Sequence, residues 1–467
     1  MISLDLVGCT SVDDVLAAVG DWARTHPDEP WIVGAGYSPT LLPGGLGDAT
    51  WLDQVCADRP VALTSNDHHM MWVNTVALTA ARIDAQSPQP EAGVIARRSD
   101  HAPLGTMLEW GAIDLIRDVM PAEDAELTRR GMAAALTELA RHGIVWAQDA
   151  VIVAETAEVY RLAAHGDELT CRFNLALRAE PGRWVNQRDE FVGIRTLVQG
   201  DEVARRSVEA RTVKFFADGV IEGGTGFLLE PYADNPHSCG LPNWQAAELA
   251  EAVRWFDAAG FQIHIHAIGD GGVRMSLDAI EHAITQNGPA DRRPVIAHTQ
   301  LVHSADRPRF AALGVIANFE PLWCTLDPTM IELTIPRLGD TRSALQYPIA
   351  TIASHGARIS FGSDWPVSSV NPLAGLANAV TRTNTHGQPV GGWTPHERIP
   401  MLDAVHAYTA GTAYQAYDDH QRGTLAVGSI ADIAILDTDI TTIDGYDLTN
   451  VTVDHTLLAG RTVYRQS

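Results

Sequence analysis

The segments ARTVKFFADG (210–219), FQIHIHAIGD (261–270), PVIAHTQ (294–300) and ARISFGSD (357–364) decide the fold. Each is a short apolar run rich in β-branched or aromatic residues, and each carries a Lys, His or Asp at or near its end. Outward from them the same rhythm continues in GIVWAQDA (143–150), CRFNLAL (171–177) and GVIANFEP (314–321), with helical spacing between the runs. ELTRRGMAAALTELARH (126–142) is one such helix, and Gly143 stops it. Near-continuous apolar strands that alternate with helices predict a parallel sheet covered on its faces. Seven strands can be counted, whereas a (β/α)8 TIM barrel needs eight.

The flanks follow other patterns. Residues 20–125 hold WIVGAGYSPTLLPGG (31–45), PVALTSNDHHMMWVN (60–74) and a Gly/Pro-punctuated stretch through LGTMLEW (104–110), read as an inserted small α/β subdomain. Residues 126–414 form the barrel. In 415–467, RGTLAVGSIADIAILD (422–437) and VDHTLLAGRTVYRQ (453–466) read as strands of a small β-sandwich. Residues 1–20 read as an amphipathic, polar-capped stretch without the basic start and greasy centre of a signal peptide, and 1–19 as the remnant of a segment that follows a first barrel strand.

Composition excludes several classes. Hydrophobic residues at 46% and charged residues at 19% suit a large buried core. A net charge of −25 disfavours nucleic acid and anionic membranes as partners. A small-molecule substrate is expected instead, and the oligomeric state is left open, a homodimer included. Five scattered cysteines without a CxxC pair argue against disulfides or a zinc–thiolate site and fit a cytoplasmic location.

Lys214 is the only lysine in the chain; every other basic residue of the Lys+Arg set is arginine. A lone lysine inside VKFFADG suggests a task for which guanidinium is unsuited. A buried amine deprotonates readily and then serves as a Schiff-base former, a base, or an acceptor of CO2. An ion pair with Asp218 or Glu222 is the structural alternative. His266 lies near the end of its strand, and His264, two residues earlier, points to the same face. His298 ends the next strand and His303 follows in a loop. Asp364 closes the last strand, where an unpaired buried carboxylate would be costly. These groups sit near the C-terminal ends of different strands, which in this fold converge on one mouth, and imidazole with carboxylate suits zinc or a similar divalent ion. Trp72, Trp323 and Trp365 are candidates for an apolar pocket, with ordinary packing as the competing reading.

The series KFFADG, HIHAIGD, IAHTQLVH and FGSDWP resembles the amidohydrolase superfamily, and within it the amidohydrolase-3 (YtcJ-like) group that includes N-substituted formamide deformylases. The resemblance runs nearly the whole length, through WIVGAGYS, DHHMMWVN, LGTMLE, GIVWAQDA and GTLAVGSIADIAILD. It implies hydrolysis of a C–N bond, in an amide, N-substituted formamide or cyclic amide, by metal-activated water. Carboxylated Lys214 would bridge two metals, His266 and His298 would hold the more exposed one, and Asp364 would bind the buried one and act as general base. The metal would be a divalent ion such as zinc. His69, with His303 and Trp365, would contact substrate, although His68 stands where the family's DGH pattern has glycine. Ala297 stands where relatives often carry Glu, which bears on how His298 is oriented.

The family's first barrel strand, with its His-x-His pair, and the first sandwich strands have no counterpart in the chain. The fold expected is therefore a TIM barrel lacking these pieces, with residue 1 an internal methionine of a protein about 50–80 residues longer. Two other functions stay open: a binding paralogue without catalysis, and a lyase that uses Lys214 as a Schiff base.

Overall fold

In the computed structural model, residues 3–122 and 125–466 are described; Met1, on which the expectation of an internal start turns, lies outside them. The chain divides into two compact units. One comprises Met1–Asp124, Asp218–Asn243 and Asp327–Ser343, the other Ala125–Ala217, Trp244–Leu326 and Ala344–Ser467.

The first unit is built on a mixed sheet of β1 (Leu4–Asp5), β2 (Ile32–Tyr37), β3 (Val61–Ser65), β4 (Met70–Val73), β5 (Val94–Arg97) and β6 (Pro103–Leu108), in the order β1-β2-β3-β4-β6-β5. β1, β2 and β3 run parallel, and the remaining pairings are antiparallel. Helix Val12–Thr25 starts where Ser11 accepts the Asp14 N–H at 3.1 Å, a side-chain N-cap, and it buries Val15 and Val19. These join Leu6, Ile32, Leu52, Leu63 and Trp72 in one core. Trp72 is packing rather than pocket wall. It is fully buried, meets Tyr37 and Trp51 edge-on with 6.0 Å between centroids, and donates its indole N–H to Asp48 O at 3.0 Å.

The second unit holds seven parallel strands: β7 (Trp146–Ile152), β8 (Arg172–Arg178), β9 (Val208–Phe216), β10 (Gln262–Ala267), β11 (Val295–His298), β12 (Ile316–Phe319) and β13 (Arg358–Phe361). They lie in chain order, with β7 and β13 outermost, and every neighbouring pair is parallel. All seven strands read from the sequence are present. Helices between them, such as Ala246–Ala258 and Asp270–Asn287, bury Leu249, Val253, Phe256 and Leu277. This is the winding of a TIM-like α/β fold. The tail forms a three-stranded antiparallel sheet of β14 (Ile433–Leu436), β15 (Val453–Leu458) and β16 (Arg461–Arg465). Among the described residues, no helix is long and apolar enough to cross a membrane.

Candidate metal and catalytic site

Strand register brings the sequence candidates of the second unit together. His264 of β10 stands opposite Lys214 of β9, and Ala267 opposite His298 of β11, so the two-residue alternation puts Lys214, His264 and His266 on one face. All three, with His298, are buried. The rings of His266 and His298 meet with centroids 4.6 Å apart at 67°, and Phe216 lies 5.1 Å from His266. Lys214 Nζ sits 4.9 Å from the Phe216 ring. His298 and Asp364 both adopt left-handed backbone, at φ 73° and 50°, a strained conformation of order 1–3 kcal/mol each that clusters at functional sites.

The charges acting on Lys214 are Asp364 and Glu320. The Asp218 and Glu222 suggested by sequence proximity belong to the other unit, where Asp218 Oδ2 accepts the Phe227 N–H at 2.8 Å. Burial pulls the Lys214 amine down to about 8 against the pull of those two carboxylates. Burial likewise lifts the Glu320 carboxyl to about 8, against the influence of Lys214. Both groups are thus pushed toward their neutral forms.

Glu320 is the residue that sequence reasoning missed. Its Oε2 lies 2.9 Å from His298 Nδ1, with both side chains buried. It supplies from the end of β12 the carboxylate that Ala297 lacks. The signal was present: an acidic residue closing GVIANFEP meets the same test that singled out Asp364. Trp323, three residues on, stacks on His298 with centroids 5.2 Å apart and 15° between planes.

Other candidates stand differently. His303 is exposed; its Nδ1 accepts the Ala305 N–H at 3.2 Å and lies 3.1 Å from Arg274 Nη2. Trp365 is also exposed. Among the described residues, no group of three or more His, Cys, Asp or Glu side chains is placed to hold a metal ion.

His69 belongs to the first unit, at the end of the turn joining β3 to β4. Of the adjacent pair it is the buried member, while His68 takes φ 64° in the turn. His69 Nδ1 lies 2.8 Å from Oε2 of Glu109, whose other oxygen accepts Thr225 Oγ1–H at 2.6 Å. Burial opposes the His69 charge, but Glu109, with Asp67 and Glu222 beyond it, outweighs burial and raises the imidazole to about 9. A folded-state value above the unfolded 6.5 adds stability that is full below pH 6.5 and is lost as pH rises through about 9. Urea unfolding of the wild type should therefore lose up to about 3 kcal/mol across that window. Glu109→Gln should flatten the slope, and an unchanged slope would refute the pairing.

The sequence pattern of the Amidohydrolase family matches residues 1–464. YtcJ of Bacillus subtilis (strain 168) is 29% identical, over 100% of this chain and 86% of its own length. N-substituted formamide deformylase of Arthrobacter pascens is 23% identical, over 93% and 80%. Among solved structures, an uncharacterized metal-dependent hydrolase from Pyrococcus horikoshii OT3 superposes with a TM-score of 0.70 at 19% identity, covering 95% of this chain and 83% of its own.

Proposed function

Because the chain belongs to the amidohydrolase family, we propose that it is a metal-dependent hydrolase cleaving a C–N bond in an amide, an N-substituted formamide or a cyclic amide. The observation that carries this reading is the meeting of His266 and His298 on adjacent strands, with Lys214 on the strand next to His266 and the carboxylates of Asp364 and Glu320 acting on its charge. The name of the Arthrobacter pascens relative supports the formamide class, and the description of the Pyrococcus horikoshii structure supports metal dependence.

In this reading His266, His298, Asp364 and a carboxylated Lys214 would hold the ion, zinc being the first choice. A divalent ion supplies Lewis acidity and lowers the pKa of a bound water. The chain's own residues do the rest. Glu320 accepts the His298 Nδ1–H and so fixes the ring with Nε2 as the ligating atom. Asp364 takes the proton of the attacking water and passes it to the leaving nitrogen. Trp323 shields one face of His298. Trp365 and His303 are the proposed substrate contacts, each testable by substitution.

The test is a panel of amides, N-substituted formamides and cyclic amides offered to protein loaded with zinc and bicarbonate. Chelator-sensitive hydrolysis of at least one class is expected. A second reading is a binding protein without turnover, the alternative left open by the absence of the family's His-x-His first barrel strand from the sequence. Tight amide binding with no hydrolysis would favour it and refute the first. A separate prediction concerns Glu320. Glu320→Gln should weaken zinc affinity about 10–100-fold in chelator competition, and unchanged affinity would show that Glu320 does not orient His298.

A further inference from the structure

Hydrogen bonding fixes which nitrogen of His264 carries its proton. The backbone N–H of Arg211 donates to Asn174 Oδ1 at 3.3 Å, which makes the other end of that amide the NH2 group. Asn174 Nδ2 donates to Gln148 Oε1 at 2.9 Å and to Thr212 Oγ1 at 2.7 Å. The same assignment follows from the opposite end of the chain of bonds. Gln262 Nε2 donates to the carbonyls of Arg293 and Gln415, both at 2.9 Å, so its Oε1 accepts the Thr212 hydroxyl, also at 2.9 Å. With Gln148 Oε1 accepting, its Nε2 faces His264 Nδ1 as a donor. An amide NH2 has no lone pair to offer, so His264 Nδ1 must accept, and a neutral ring then carries its proton on Nε2.

That Nε2–H is buried and, among the described residues, has no hydrogen-bond partner. A buried donor without an acceptor costs about 1–3 kcal/mol, so it marks a position where an acceptor belongs. A protonated Nε2 is not a metal ligand; it is a donor. The residue opposite it in register, on the same face of the neighbouring strand, is Lys214.

We propose that His264 is the hydrogen-bond donor to the carboxylate that CO2 adds to Lys214. The Nζ lone pair attacks the carbon of CO2, an N–C bond forms, one C=O pair becomes a carboxylate oxygen, and the surplus amine proton leaves to solvent. The new oxygens need donors in a buried place, and His264 Nε2–H answers for one of them. His264 is thus a positioning residue that selects the carboxylated form of Lys214. This rests on the reading of Lys214 given above and goes beyond it by naming the group that stabilises the carbamate.

The full chain with zinc and 13C-bicarbonate gives the test by 13C spectroscopy. Because Lys214 is the sole lysine, a side-chain carbamate signal belongs to it and should vanish in Lys214→Arg. His264→Phe should lower its occupancy about tenfold at fixed bicarbonate, whereas His264→Gln, which keeps an N–H at a similar reach, should retain most of it. In the wild type, 15N spectra should show His264 bare at Nδ1 and protonated at Nε2, a readout that needs no variant to fold. Equal carbamate occupancy in His264→Phe, or a proton on Nδ1, overturns the proposal. A wild type with no Lys214 carbamate overturns it too, and also removes the reading of Lys214, which a carbamate persisting without His264 would leave intact.

Discussion

Lys214→Ala is expected to abolish both metal retention and hydrolysis, with turnover falling by more than about three orders of magnitude. No other lysine exists to take its place. The residue is buried between neighbours that act on its charge, Asp364 and Glu320, and burial brings its amine down to about 8, within reach of the free base. Alanine removes the amine, and with it the proposed anionic partner of His266 and His298. It also takes from Glu320 the charge of the free Lys214 amine, which opposes the burial of that carboxyl. Lys214→Arg separates the two losses, because guanidinium restores charge but takes up no CO2. Arginine should keep the fold stable and still bind no metal. A Lys214→Ala protein that hydrolyses amides at a normal rate would remove lysine from the mechanism. A borohydride-trapped adduct between Lys214 and a carbonyl substrate would point instead to a Schiff-base lyase.

Asp364→Asn should cut kcat by about two to four orders of magnitude, the usual worth of a positioned general base, with a far smaller change in KM. Asp364 sits just beyond β13 in left-handed backbone at φ 50°, a conformation that asparagine also tolerates, so the fold should survive the exchange. The amide keeps the shape and one oxygen but accepts no proton at neutral pH. Near-normal turnover in Asp364→Asn would move the base elsewhere, with His303 the next candidate.

The sequence made the second unit's sheet legible because parallel strands buried on both faces leave unbroken apolar runs. Val295–His298, Ile316–Phe319 and Arg358–Phe361 all fall inside the segments read from the chain. The family likeness was legible for the same reason, since its motifs sit at the ends of those runs. What escaped was pairing across long sequence separations. Glu320 reaches His298 from another strand, and Glu109 reaches His69 from 40 residues away out of a left-handed backbone at φ 62°. The ion-pair partners first suggested for Lys214, Asp218 and Glu222, were chosen by nearness in sequence, yet the carboxylates that act on it come from over 100 residues downstream. The proton on His264 was also beyond reach, because it depends on the amide orientations of Gln148 and Asn174. Aromatic residue type was a poor guide: of Trp72 and Trp323, one fills a core and the other stacks on His298.

The central claim, that Lys214, His266, His298 and Asp364 form a metal site, is tested most directly by elemental analysis. The 467-residue chain, purified without chelator, is incubated with zinc and bicarbonate, dialysed and measured alongside His266→Ala and His298→Ala. At least one ion per chain is predicted for the wild type, with loss in both variants. A wild type that retains no zinc, iron, manganese or nickel, or variants that retain as much as the wild type, would contradict the account.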